Sequence, residues 1–347
     1  MSTISSANWI KTMLTTEHYW QSPYIDWVND VPEGWVLLIF YIRSGRNKAI
    51  VPAVVEALSL LRLFSPIASL SGPLADQKGV FWIGIECSLV QKCSHLFKQL
   101  GYTVAVDQAI CLSVDQETDV NRLVVEDEKI VHWRGKRFRL QRLYQQDLHF
   151  VRSRAPDRRA FLLEDRYGNV VTVKGYRGDS CDQSRRGLPV EDARMLVNLV
   201  TPDTGIDDKH RFLDPFAGVG GIVIEAIDSH FTTFSLDNEP RLRYGLRSFG
   251  AFHVVGNAME LPFASGTFSA IATEPPYHRG IKSVLPTAFT EMYRLLKEGG
   301  RLSILVSPWQ AELLLNEADQ VGMELFLASP VNRKGTPVVV LGWTKTA

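Results

Sequence analysis

Cysteine is scarce: four in 347 residues, at Cys87, Cys93, Cys111 and Cys181. None stands in a C-x-x-C pair or beside a histidine cluster, which argues against a disulfide framework or a zinc site and leaves reduced, mostly packing thiols. Net charge is also absent, because 38 basic and 38 acidic side chains cancel. No protein-wide field steers a polyanion here, so a nucleic-acid partner requires a local basic patch. Long apolar runs are missing too. The most apolar stretch, Trp35–Ile42, falls far short of the ~20 residues that span a bilayer. The first twenty residues lack a basic segment followed by an apolar one, so no secretory signal is read and the default expectation is a cytoplasmic protein.

What is present is an ordinary globular composition, 45% hydrophobic and 22% charged, which excludes disorder and fibrous repeats. The length suits two domains. After a leader at 1–34, residues 35–125 read as a small α+β domain: strand Trp35–Arg43, helix Ala49–Leu63, strand Val80–Ile85, helix Leu89–Leu100 and strand Tyr102–Ala109, with room for another strand in Ser65–Lys78. Two β-α units of this kind point to a ferredoxin-like layout. Residues 126–180 then form a basic linking region of short strands and loops. Within it, Lys129–Arg159 is crowded with Lys and Arg, and Trp133, Phe138, Tyr144 and Phe150 are interleaved. Basic charge with stacking rings is what a phosphate-bearing single strand requires. A solvated face balanced by Glu126, Asp127 and Glu128 is the bland alternative.

From 181 to 347 the pattern becomes regular. A helix at Val190–Val200 starts at Pro189 and stops at Thr201-Pro202. Strands at Arg211–Leu213, Thr232–Leu236, Phe252–Val255, Ala270–Thr273, Arg301–Val306 and Met323–Leu327 alternate with helices at Gly221–Ser229, Arg241–Phe249, Val284–Leu296 and Ala311–Gln320, before a final strand at Val338–Trp343. Alternation with short connections predicts an α/β domain, a parallel doubly wound Rossmann-like sheet with helices on both faces. Its ligand belongs at the carboxyl ends of the strands, near the point where strand order reverses.

The polar residues cluster at those ends. The first strand closes on Asp214, followed by Pro215-Phe216-Ala217-Gly218-Val219-Gly220-Gly221 at the start of a helix. Glycines there admit a close ligand, a feature that nicotinamide enzymes share. Asp214 discriminates, since a carboxylate repels a pyrophosphate and attracts a cationic cofactor such as S-adenosyl-L-methionine. Asp237 ends the second strand, where it suits two ribose hydroxyls. The third ends at Asn257-Ala258, where Asn257 is placed to accept from an adenine amine.

The fourth strand delivers Glu274-Pro275-Pro276-Tyr277. Two prolines fix the backbone and leave the Pro275 carbonyl beside the Glu274 side chain. Two acceptors facing one –NH₂ group turn the lone pair of an aromatic amine, otherwise delocalised into its ring, toward an electrophile. Tyr277 is then placed to stack on the base. The base has to be unpaired or flipped to reach this corner. His278 and Arg279 are read equally well as phosphate contacts or as loop polarity.

With these residues in view, the segment from about Asp179 to the end resembles the tRNA guanosine-10 N2-methyltransferase family and related RNA methylases. The resemblance is carried by SRRGLP at 184–189, DARMLVNLV, DPFAGVGGIVIEA, GNAMELPF, EPPYHRG and EMYRLLKEGG. It implies that Asp214, Gly218 and Gly220 hold the amino-acid part of S-adenosyl-L-methionine, Asp237 its ribose and Asn257 its adenine, with Phe216, Ala217 and Ala258 also in the cofactor site. It also implies that Glu274, Pro275, Pro276 and Tyr277 form the target-amine motif and that RNA, tRNA foremost, is captured by the N-terminal half. Two positions depart from the family pattern, which has Asp where Glu274 and Asn257 stand. The same corner chemistry serves a DNA amino-methyltransferase, and the two departures also fit a catalytically silent binding subunit.

Overall fold

The computed structural model describes residues 25–46, 49–112, 129–146, 160–164, 169–174, 188–202, 209–333 and 335–346, with 160–164 and 170–174 described by backbone alone. The chain divides into two compact units, one within residues 20–147 and the other within 148–347.

The first unit is built on one seven-stranded sheet. Its strands are β1 (Trp27–Val28), β2 (Trp35–Ile42), β3 (Ile67–Ser69), β4 (Val80–Glu86), β5 (Thr103–Cys111), β6 (Lys129–Trp133) and β7 (Lys136–Gln145), in the order β1-β3-β4-β2-β5-β7-β6. Strand β1 joins β3 in parallel, and the strands β3-β4-β2-β5 pair antiparallel with one another. With helix α1 (Ile50–Leu60) and the short α2 (Val90–Cys93), they run β-α-β-β-α-β along the chain. Glu56 of α1 is buried and accepts from the backbone N–H groups of Gly101 (2.6 Å) and Tyr102 (3.1 Å), fixing the entry to β5. The helix expected at Leu89–Leu100 is broken into α2 between two 3-10 segments. Cys93 and Ser94 there donate to the carbonyls of Val90 and Gln91, bonds that compete with a regular helix. Of the described cysteines only Cys93 is buried; Cys87 and Cys111 are exposed.

The described part of the basic segment forms a hairpin that joins this sheet. Arg134 and Gly135, both at positive φ (49° and 73°), turn β6 into β7. Strand alternation then divides the aromatic residues. Phe138 is buried with Leu140, Val131, Leu37, Ile39 and Trp82, so it is a core residue and not a stacking surface. Trp133 leans on Phe138 (5.9 Å between rings) and carries the Arg134 guanidinium over its own ring at 4.7 Å. Lys129, Arg134, Lys136 and Arg142 are exposed. Phe150 and the arginines at 152, 154, 158 and 159 lie outside the described residues.

In the second unit, a backbone hairpin of β8 (Ala160–Glu164) and β9 (Val170–Lys174) precedes the main sheet. The elements of the main layer follow in order: α3 (Val190–Leu199), β10 (Arg211–Asp214), α4 (Gly221–Asp228), β11 (Thr232–Asp237), α5 (Arg243–Ser248), β12 (Phe252–Val255), β13 (Phe268–Thr273), α6 (Leu285–Leu295), β14 (Leu296–Val306), α7 (Pro308–Val321), β15 (Met323–Arg333) and β16 (Thr336–Lys345). The sheet runs β12-β11-β10-β13-β14-β16-β15, its first five strands parallel and β16 antiparallel to both neighbours. This is the doubly wound Rossmann-like order with a reversed last strand slotted in before the sixth. Helices α4 and α5 share one apolar cluster around Val223, Ile224 and Leu246, and α3 packs beside α4. The other helices, α6 and α7, bury Phe289, Met292 and Leu314 in a second cluster with Phe268, Ile304 and Trp343. Strand order reverses between β10 and β13, and Asp214 and Glu274 stand at or just beyond the carboxyl ends of those two strands.

Candidate active site

Asp214 ends β10, buried to 1% exposure. Its Oδ1 accepts from the Thr273 hydroxyl at the tip of β13 (2.7 Å) and from the Phe216 N–H (3.2 Å). Burial pushes its carboxyl up to about 7 against the pull of those two donors, and the charges of Asp237 and Glu274 push the same way. Three acids therefore share one strand-end crevice, with Glu274 also paired to Arg333.

The glycine turn reinforces the sequence reading of a cationic cofactor. The N–H groups of Phe216, Ala217, Gly218 and Gly220 are taken within the protein, by Asp214, the Leu236 carbonyl, Asp237 and the Ala217 carbonyl respectively. A pyrophosphate would need such donors. What the loop offers outward is space: Gly218 lies at φ +50° and a Cβ built on it meets nothing within 4 Å. Gly220 serves packing instead. It sits at φ +82° as the residue before α4, and a Cβ there would approach Leu246 Cδ2 to 2.9 Å. Ala217 and Ala258 are both buried.

Asp237, half-buried at the end of β11, accepts from Gly218 N–H on Oδ2 (2.7 Å) and from Glu239 N–H on Oδ1 (2.9 Å). It thus ties the glycine turn to the second strand and keeps a lone pair on each oxygen. Asn257 is exposed, and its Oδ1 accepts from Met259 N–H at 3.0 Å in a local turn.

At the tip of β13, Pro275 is buried and its carbonyl takes no hydrogen bond among the described residues. The Pro276 carbonyl is held by Gln310 Nε2 at 2.7 Å. Gln310 is at the same time the capping-box residue of α7, accepting from Ser307 N–H (2.9 Å) and hydroxyl (2.8 Å). Glu274 Oε1 receives the Tyr277 hydroxyl and Arg333 Nη1, the latter at 2.6 Å, while Oε2 is unengaged among the described residues. Tyr277, read from sequence as a stacking ring, has its hydroxyl drawn onto Glu274 here. Burial raises the Glu274 carboxyl above the ordinary range, with Arg333 pulling it back down, and burial together with Glu274 raises the Tyr277 hydroxyl. Arg279 lays its guanidinium over the Trp309 ring at 5.4 Å.

Sequence reading missed four participants: Asp192, Thr273, Gln310 and Arg333. Arg333 closes β15 and also meets the fully buried Asp192 of α3, Nε to Oδ2 at 3.1 Å. Burial lowers the Arg333 guanidinium, but Glu274 and Asp192 outweigh it and the net shift is upward. No local signal marks Arg333 or Asp192, because their partners are far off in the chain. Gln310 was legible: Ser307-Pro308-Trp309-Gln310 has the capping-box spacing.

No family model matches this chain. Over 160 residues it is 29% identical to the tRNA (guanine(10)-N2)-dimethyltransferase of Pyrococcus abyssi, covering 39% of this chain and 46% of that protein. Over 123 residues it is 30% identical to the ubiquinone/menaquinone biosynthesis C-methyltransferase UbiE of Agrobacterium fabrum, covering 32% and 45%. Both are methyltransferases. This chain spans a little under half the length of these curated relatives. Among solved structures, TrmN from Thermus thermophilus aligns over 89% of this chain and 99% of its own, at 15% identity and a TM-score of 0.49. No helix among the described residues is long and apolar enough to cross a membrane.

Proposed function

We propose that this chain is an S-adenosylmethionine-dependent methyltransferase that modifies the exocyclic amine of an RNA base, with guanosine N2 in tRNA as the leading target. One observation carries the reading: among the described residues, Glu274 Oε2 and the Pro275 carbonyl are two unengaged acceptors at the tip of β13, beside the acid-lined crevice of Asp214 and Asp237.

The donor set fits the cofactor. Asp214 and the open space at Gly218 receive the cationic amino-acid end, with Phe216, Ala217 and Gly220 shaping the turn. Asp237 receives the ribose hydroxyls on its remaining lone pairs, and Asn257 with the Ala258 backbone borders the adenine. When bound, S-adenosylmethionine supplies a methyl group on a sulfonium, which leaves as a neutral thioether. Glu274 and the Pro275 carbonyl accept the two N–H bonds of the target amine and aim its lone pair, a positioning effect of the kind that dominates such reactions. Glu274 Oε2 would take the surplus proton that the amine nitrogen carries once methylated and pass it to solvent. A carboxyl raised by burial suits that task. Tyr277, its hydroxyl anchored on Glu274, offers its ring to the incoming base, while Gln310 keeps Pro276 in place.

RNA is assigned to the first unit and to its exposed cations Lys129, Arg134, Lys136 and Arg142. The name of the Pyrococcus abyssi relative, a tRNA guanine-10 N2 enzyme, supports base and substrate alike. The test replaces Glu274 with Gln, which keeps the shape and removes the charge and the base. Methyl transfer to host RNA is expected to fall at least ~100-fold with cofactor affinity retained; transfer at the wild-type rate overturns the role of Glu274.

A further inference from the structure

A glutamate at the amine-acceptor position has one more rotatable bond than an aspartate, and something has to fix which of its oxygens faces the amine. Arg333 is placed to do so. It closes β15 where the hairpin turns into β16, and the turn is pinned by Gly335 N–H donating to Asn332 Oδ1 at 2.7 Å. From there Nε meets buried Asp192 at 3.1 Å, while Nη1 reaches Glu274 Oε1 at 2.6 Å and the Tyr277 hydroxyl at 3.1 Å. One planar guanidinium thus bridges two carboxylates and a phenol, a geometry that an ammonium on a flexible stem does not reproduce.

We propose that Arg333, anchored by Asp192, is the positioning residue of the amine-acceptor corner: it draws Glu274 Oε1 and the Tyr277 hydroxyl to one side and leaves Oε2 as the oxygen that receives the amine. This rests on the reading of Glu274 as the amine acceptor. The arrangement also sets the charge of the acceptor. Among the described residues, the charged or titratable groups that face Glu274 are Arg333 from β15, Asp192 from α3, Asp214 from β10 and Tyr277 from its own loop. Arg333 is the cation among them. Without it, a carboxyl flanked by two acids and shielded from water holds a proton, and a protonated acid neither accepts on both lone pairs nor takes the amine proton.

The test uses the full chain as wild type, as Arg333→Met, and as the double variant Arg333→Gln with Asp192→Asn, which removes the buried charge of Asp192 together with its cation. The carboxyl carbons of glutamate are labelled with ¹³C, and the Glu274 signal is assigned from its loss in Glu274→Gln. The Glu274 titration midpoint is expected to rise by about 1–3 pH units in Arg333→Met, the effect of removing an adjacent opposite charge, and by less in the double variant, which also removes the like charge of Asp192. In parallel, the acid limb of methyl transfer to host tRNA shifts upward by the same interval, with KM for S-adenosylmethionine unchanged within about twofold. An unchanged Glu274 midpoint in folded Arg333→Met overturns the proposal, as does a loss of transfer that is equal at every pH. A shifted midpoint in a wild-type protein that transfers no methyl group overturns the amine-acceptor reading while the Arg333–Glu274 coupling stands, so the two failures are distinguishable.

Discussion

Thr273 donates its hydroxyl to Asp214 Oδ1 across 2.7 Å, and this bond joins the tips of β13 and β10 at the point where strand order reverses. It links the strand that delivers the amine acceptors to the strand that starts the cofactor turn. It also helps keep Asp214 ionised against its burial.

Replacing Thr273 with Val removes that donor and leaves Oδ1 with the Phe216 N–H alone. A hydrogen bond to a charged group contributes about 1.5–3 kcal/mol, so S-adenosylmethionine affinity at neutral pH is expected to weaken at least ~10-fold. Calorimetric titration of the variant measures this, and an unchanged dissociation constant contradicts it.

The pH dependence of cofactor binding has a definite sign. Burial foremost raises Asp214 from 3.8 to about 7 in the folded chain. The folded state therefore holds a proton that the unfolded state has lost, and the associated stability declines as pH rises from 3.8 through about 7. A cationic ligand favours the ionised form, so binding releases a proton and tightens between roughly pH 6 and 8. Calorimetry in two buffers of different ionisation enthalpy reads the proton count; uptake in place of release contradicts the assignment.

Two glycines separate packing from ligand access. In Gly220→Ala the new Cβ meets Leu246 at 2.9 Å on a backbone at φ +82°, and the protein is expected to lose about 2–3 kcal/mol of stability. In Gly218→Ala the Cβ meets nothing, and about 1 kcal/mol of backbone strain is the whole cost to folding. Cofactor binding, however, is expected to fail there, because the methyl group occupies the space assigned to the ligand. Thermal melting with and without S-adenosylmethionine distinguishes the two; stabilisation of Gly218→Ala by the cofactor to the wild-type extent contradicts the placement.

Gln310→Ala frees the Pro276 carbonyl and removes the capping box of α7. The lost cap costs about 1 kcal/mol of stability. A loosened Glu274–Tyr277 turn is expected to lower kcat by ~10–100-fold with KM for the cofactor unchanged. Steady-state kinetics against tRNA measures the split, and a rise in KM for the cofactor with kcat intact contradicts the role given to Gln310.

The parts of this site that were legible in the sequence are those written locally. Gly218, Gly220 and the Pro275-Pro276 pair punctuate strand ends within a few residues, so their positions follow from backbone sterics alone. Phe138 was misread because basic neighbours obscured its place in a two-residue alternation; only the pairing of β7 with β5 turns its ring inward. Strand β14 begins at Leu296, before the expected Arg301, because Phe268 pairs with Leu296 across an irregular register that local sequence does not reveal. Arg333 and Asp192 were invisible for a deeper reason. Fifty-nine residues separate Arg333 from Glu274, and only the insertion of β16 between β14 and β15 places the end of β15 as it is.

The central claim is tested most directly by incubating the full chain with labelled S-adenosylmethionine and separate pools of host tRNA, ribosomal RNA and DNA, then identifying modified nucleosides by mass spectrometry. N2-methylguanosine in tRNA alone is the predicted result. Label in DNA only, or in no nucleic acid from a protein that binds the cofactor, contradicts it.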